Sequence, residues 1–463
     1  MPSLRRFLVA AATLSLLLAV PARGADVTPP AAVQDLGFGT GAGHVTVYGP
    51  NPRYLQDASG TPFAIVGFGN EGRNTPAVIA QLAGKINYQR AYATSWDSGR
   101  SPDEYALGRP WPTVNGKTDM STWNETYWSN LRDNLGHARD AGIVVGLTLW
   151  DGHDDLPGGK FGNASIWNAS LNAQGVQWAY DDAALAQYPN PSPNGGASEK
   201  LVYYQRRWID RLLQEIAAYP NVIIELDNET DTAPTAWWLW WAGHVRAAGS
   251  YIVATTWQPS ATIPDNVFSS DARLDMKSYH QRDESILTAQ RWAWNKIIVV
   301  DADEACTNLD RATGRGLAWR SLLRGGHWND FVCIDTAFPD AAKIQDYGHL
   351  LDFLRTRNVA LWSMAPHTEL VSSGVAMAAV GTSYLVYTTA NVTVDLSGAA
   401  GTLNWTWYDP SLGVDVSSGQ VAGGAPRAFT LPGAGDFVLW IRTGAASQGA
   451  RRAGSSRRTT PGR

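Results

Sequence analysis

At 463 residues the chain can bury a large core and divide into roughly two to four domains. Charged residues are 17% of it, apolar residues 44%, and the net charge is −5, so nothing in the balance points to a polyanionic partner such as nucleic acid. Tryptophan is the outlier at 21 residues; aromatic faces fill cores first, but they also stack on the C–H faces of sugar rings.

Residues 1–25 have the layout of a secretory signal peptide: Arg5 and Arg6, an apolar stretch from Phe7 to Val20, then the small residues Ala22, Gly24 and Ala25 near a cleavage point. The alternative, an uncleaved membrane anchor, meets a stretch that is short for a span. The protein is therefore expected to be secreted, to the periplasm or beyond, with no membrane contact after cleavage. A Pro-, Gly- and Ala-rich linker occupies residues 26–44, and folding is expected from Val45. Arg53 to Gln56 forms half of an expected hairpin that turns through Asp57 to Gly60 and plugs the floor of the large domain beyond it.

From there apolar runs alternate with helical patterns. Strands are expected at Phe63 to Gly67, Tyr88 to Ala93, Ile143 to Leu149, Val222 to Leu226, Tyr251 to Thr255, Met276 to Tyr279, Ile297 to Asp301 and His327 to Cys333. Eight such units over residues 45–370 fit an α/β fold, a (β/α)8 TIM barrel whose site lies at the carboxyl ends of the strands; an open doubly wound sheet is the other possibility. Residues 371–443 change texture to short alternating strands separated by Gly, Pro and Asp turns, which predicts a small C-terminal antiparallel β-sandwich. Residues 444–463 are rich in Ser, Gly and Arg and read as a disordered tail.

The chemistry concentrates in Asn221 to Thr230, NVIIELDNET. Side chains alternate along a strand, so Glu225, Asp227 and Glu229 share one face, and three carboxylates would not be pressed against apolar helices. That face should point into the barrel. Glu229 then either stands at the rim as a catalytic carboxylate or starts a helix with Asn228 as its cap. The other strand ends offer Arg90, Trp150, Asp151, His153, Trp257, Tyr279, His280, His327 and Trp328 as substrate-binding candidates, with Asp301, Asp303 and Glu304 as acids. A ring of acids, amides, imidazoles and aromatics is what cleavage of a glycosidic bond requires. Each has a plainer role available: Arg90 could simply bridge interior acids, His153 and His327 could be satisfied buried polar groups, and Trp237, Trp238, Trp240 and Trp241 read as helix packing. No HxH, HExxH or CxxC spacing supports a metal, and no phosphate-binding glycine loop or dinucleotide pattern occurs, so no cofactor is expected. Cys306 and Cys333 come just after neighbouring strands, and export would permit a disulfide between two site loops as readily as two buried thiols.

The NVIIELDNET strand, the Arg of NYQRAY, the SYH of strand six and the Glu of VVDADEAC together resemble clan A glycoside hydrolases, the cellulase and β-mannanase superfamily. YGHLLDFLRTRNVALWSMAPHTELV and the strands after it are similar to the apiosidase-like family, whose C-terminal domain carries a collagen-binding label. The resemblance implies a retaining double displacement on an oligo- or polysaccharide, with Glu229 as acid/base, Glu304 as nucleophile, Asn228 on the sugar 2-hydroxyl, and Tyr279 or His280 orienting the nucleophile. Two departures stand out: Thr230 occupies a position where the family often has Pro, and Asp301 and Asp303 crowd Glu304. A non-catalytic carbohydrate-binding or adhesion protein on the same scaffold is the competing reading.

Overall fold

The computed structural model describes residues 44–70, 75–93, 108–151, 166–228, 233–257, 264–281, 284–302, 309–332 and 341–444. The expected signal peptide, most of the linker, the tail, and His153, Glu229, Glu304, Cys306 and Cys333 lie outside these residues.

Eight parallel strands close into a barrel in chain order: β1 (Val66–Asn70), β2 (Tyr88–Tyr92), β3 (Val144–Asp151), β4 (Val222–Asn228), β5 (Val253–Trp257), β6 (Met276–His280), β7 (Ile297–Asp301) and β8 (His327–Val332), with β8 pairing back to β1. The first strand begins three residues later than the expected Phe63, because Pro62–Phe63 pairs instead with Leu55–Gln56 in a three-stranded antiparallel sheet completed by Thr46–Val47. That small sheet plugs the barrel floor. Val45, Leu55, Phe63 and Ile65 join Tyr88, Val144, Ile223, Met276, Ile297 and Val299 in one buried apolar cluster inside the barrel.

Alternation then settles which side chains share that interior. Ile223 faces inward, so Glu225 and Asp227 do as well, while Ile224 and Leu226 pack outward against helices. Glycines make the interior possible where large side chains crowd it. A Cβ on Gly146 would lie 2.0 Å from the Tyr88 hydroxyl, and one on Gly69 would lie 2.4 Å from the Phe331 ring and 3.2 Å from Arg90 Cβ. The helical layer obeys amphipathic patterning: helix Ala197–Ile216 buries Leu201, Trp208, Leu212 and Ile216 along one stripe. The fifth connection, where the sequence shows no clear helical pattern, holds the short helix Asp265–Ser270.

The C-terminal part contains a six-stranded antiparallel sheet, Ala365–Pro366, Val375–Ala379, Ser383–Thr388, Phe437–Thr443, Thr402–Asp409 and Val414–Ala422 in spatial order, faced by the pair Val392–Asp395 and Pro426–Phe429. Its two faces separate by parity. Val375, Met377, Leu385, Tyr387, Val438 and Trp440 belong to the same apolar cluster as the barrel's helices, whereas Ala376, Tyr384, Val386, Leu439 and Ile441 close on Val392, Val394 and Phe429. Arg315 of helix Arg311–Leu323 clamps the junction, 2.7 Å from Asp346 of the last barrel helix and 2.5 Å from Asp436 of the sheet domain.

Candidate active site

Above the apolar floor the barrel interior turns polar, and Arg90 stands at its centre. The guanidinium is fully buried and donates to Glu225 Oε1 at 2.7 Å and to Asn228 Oδ1 at 2.8 Å, with Asp301 Oδ2 3.6 Å away. Thr148 of β3 donates to the same Glu225 oxygen at 2.6 Å, and Asn329 of β8 donates to Asp301 Oδ1 at 2.9 Å. Tyr92 and Phe331 flank the cation, their ring centroids 5.4 Å and 5.0 Å from Arg90 Cζ. One cation thus ties β2 to β4 and β7, and hydroxyl and amide donors from β3 and β8 complete the ring. A buried carboxylate is tolerable only when paired and hydrogen-bonded, which these contacts provide.

Asn228, the last residue of β4, bridges this centre to the rim. Its Oδ1 faces Arg90 and its Nδ2 donates to Asp151 Oδ1 at 3.1 Å, so the end of β4 is tied to the end of β3. The next residue in the chain is Glu229. Asp227 is buried, with the Thr256 hydroxyl 2.9 Å from its carbonyl oxygen. His280, the last residue of β6, has the parity of Met276 and faces inward, its Nε2 3.9 Å from Asp301 Oδ2. Tyr88 lies one layer below Arg90. Burial, and then the charges of Glu225 and Asp301, push its hydroxyl well above the ordinary tyrosine range, so it stays protonated.

Four expected substrate contacts are elsewhere. Trp150 is fully buried among Trp178, Trp241, Trp167 and Trp237, at 5.0, 5.7, 5.8 and 6.1 Å between ring centroids, and presents no face to a sugar. Tyr279 is out of step with Met276 and His280; its hydroxyl donates to Asp265 Oδ1 at 2.8 Å on the helix side of the barrel, beside Lys277 and Arg291. Asp265 is held below the usual carboxylate range there: burial alone would raise it, but hydrogen bonds from Lys277, Tyr279 and Arg291 outweigh burial. His327 opens β8 rather than closing it, so it lies at the floor, where its Nδ1 accepts from the Ile65 amide at 2.8 Å and its Nε2 meets the Arg53 carbonyl at 2.8 Å. Burial lowers its pKa to about 4. Trp328 is next to it and packs outward in the shell between strands and helices. Trp257 ends β5, and His153 lies outside the described residues.

Sequence patterning alone assigns no role to Thr148 or Asn329. Alternation is the signal that could have marked Asn329: in HWNDFV it shares the parity of His327 and Phe331, so a buried amide falls on one face of a strand covered on both. Among the described residues no group of three or more His, Cys, Asp or Glu could hold a metal ion, and no helix is long and apolar enough to cross a membrane.

No family model and no curated protein matches the sequence. Solved structures do match in fold. A glycoside hydrolase superposes with a TM-score of 0.59 at 14% identity, over 87% of this chain and 97% of its own. A glycoside hydrolase family 5 protein from Bacteroides vulgatus ATCC 8482 also gives 0.59 at 14% identity, over 87% of this chain and 94% of its own. At this identity the likeness is one of fold, and it spans both the closed barrel and the C-terminal sheets.

Proposed function

We propose that the chain is a secreted retaining glycoside hydrolase that cleaves O-glycosidic bonds in a cell-wall or extracellular polysaccharide by double displacement. The observation that carries this reading is the Arg90 centre. Arg90 binds Glu225 and Asn228 of β4 and approaches Asp301 of β7, and these two strands lead directly into Glu229 and Glu304. In this mechanism Glu229 protonates the leaving oxygen and then activates water, while Glu304 attacks the anomeric carbon and forms the glycosyl-enzyme. Arg90 sets the electrostatics: a buried cation favours the ionised form of a nearby nucleophilic carboxylate, and the negative charge of that carboxylate favours a proton on its partner. In this reading Asn228, held by Arg90 and Asp151, binds a sugar hydroxyl. The fold supports the reading, since glycoside hydrolases share it, and the finer resemblance to the apiosidase-like family narrows the proposal within that class.

Turnover of a panel of aryl glycosides tests it. Glu229→Gln and Glu304→Gln should each lower kcat by about a thousandfold or more on whichever glycoside the wild type cleaves, with azide restoring part of the rate through a glycosyl azide product. Unchanged rates in both variants would remove the assignment.

A further inference from the structure

We propose that the outer wall of the barrel carries a second site that binds a carboxylate-bearing sugar, such as a uronate unit of a glycan. A groove of about 480 Å³ runs along the solvent face of helix Ala197–Ile216, between Trp123 on one side and Pro189 to Pro191 on the other. Its floor is the stripe Tyr203, Arg206, Arg207, Asp210, Arg211 and Gln214, which recurs at helical spacing opposite the buried stripe of the same helix. The volume lies in the range of small-ligand sites.

The charges of the groove are not balanced from within. Arg211 is engaged by Glu215 at 2.5 Å and Glu125 at 3.2 Å, and Asp210 by His244 at 2.6 Å. Arg206 and Arg207 form no ion pair among the described residues. Arg206 donates from one Nη to the Pro189 carbonyl, its guanidinium 5.8 Å from the Trp240 ring, and its buried Nε–H has no acceptor among the described residues. Arg207 donates from one Nη to the Met120 carbonyl at 2.8 Å and lies 4.6 Å over the Trp123 ring. Carbonyls and ring faces therefore hold one guanidinium toward each side of the groove, Arg206 by Pro189 and Arg207 by Trp123, with Nη donors beyond those bonds left for an outside acceptor. Two cations without an ion-pair partner among the described residues, along one groove, give it a positive potential that favours an anionic occupant. A planar carboxylate matches the guanidinium fork, and the half-buried Tyr203 ring beside it supplies an apolar face for a sugar's C–H groups. The anion requirement rests on the arginines alone; the sugar rests on the glycosidase reading.

Titration calorimetry on the full chain tests this, with tetragalacturonate, cellotetraose and sodium sulfate as probes and Glu229→Gln present to prevent turnover. Tetragalacturonate should bind, more weakly as salt rises from ~50 to ~500 mM, with cellotetraose and sulfate each at least about tenfold weaker. Arg206→Gln and Arg207→Gln should each weaken it several-fold and the pair by about tenfold or more, with hydrolysis of a neutral aryl glycoside unchanged when the same changes are made in the active protein. Affinity unaffected by both substitutions, or sulfate binding as tightly as tetragalacturonate, overturns the proposal. The two readings fail separately: binding retained in a chain that hydrolyses nothing sinks only the catalytic one, and hydrolysis without groove binding sinks only this one.

Discussion

Arg90 is the residue on which the upper barrel depends. It is one buried cation between two buried carboxylates, so its loss takes the cation from both of them, and the loss of Glu225 removes an ion pair at 2.7 Å and leaves Asp301 at 3.6 Å. Glu225→Gln should destabilise the fold by about 3–5 kcal/mol, measured by urea unfolding, and lower kcat as Arg90 loses its anchor. Glu225→Asp, which keeps the charge, should recover part of both. His327 makes a second prediction at this scale. Burial has lowered its pKa from 6.5 to about 4, so the folded protein resists the proton that the unfolded chain accepts. The stability it confers is complete above about pH 6.5 and lost as pH falls toward 4, a change on the order of 3 kcal/mol. Unfolding free energies measured across that window should fall in the wild type, and His327→Gln should flatten that part of the curve.

At the scale of elements, β1 and β3 work by what they omit. Gly69 and Gly146 leave the space that Phe331, Arg90 and Tyr88 fill from neighbouring strands. Gly146→Ala should cost about 1–3 kcal/mol by overpacking, and Tyr88→Phe, which removes the atom lying 2.0 Å from the new methyl, should return part of it; thermal unfolding of the single and double variants reads this directly. The same elements show how far a sequence carries. All eight barrel strands are legible because short runs rich in apolar and aromatic residues alternate with helical patterns along the chain, and the inward parity of Glu225 and Asp227 comes from alternation alone. Position along a strand and choice of face are harder. His327 reads as a carboxyl-end residue although it begins its strand, and Tyr279 groups with His280 although adjacent residues of a strand must face opposite sides. Trp150 looks like a sugar platform until Trp167, Trp178, Trp237 and Trp241, distant in sequence, enclose it. The edge strand Val414–Ala422 escapes sequence patterning because most of its residues are exposed, which leaves no apolar period to detect.

Over the whole molecule, the barrel and the C-terminal sheet share one apolar cluster and the Arg315 clamp. The two parts should therefore melt together, in a single calorimetric transition. Asp436→Asn should lower that transition by weakening the clamp, at a cost of about 1.5–3 kcal/mol, without splitting it in two.

The proposed double displacement passes through a covalent intermediate, here assigned to Glu304. Intact-mass spectrometry after exposure to a panel of fluorinated and cyclophellitol-type sugars should show a single adduct on the wild type and none on Glu304→Gln, and the sugar that reacts would define the substrate class. An adduct of the same mass on Glu304→Gln, or no adduct from any sugar while glycan binding persists, would contradict it and favour a carbohydrate-binding protein on a glycosidase scaffold.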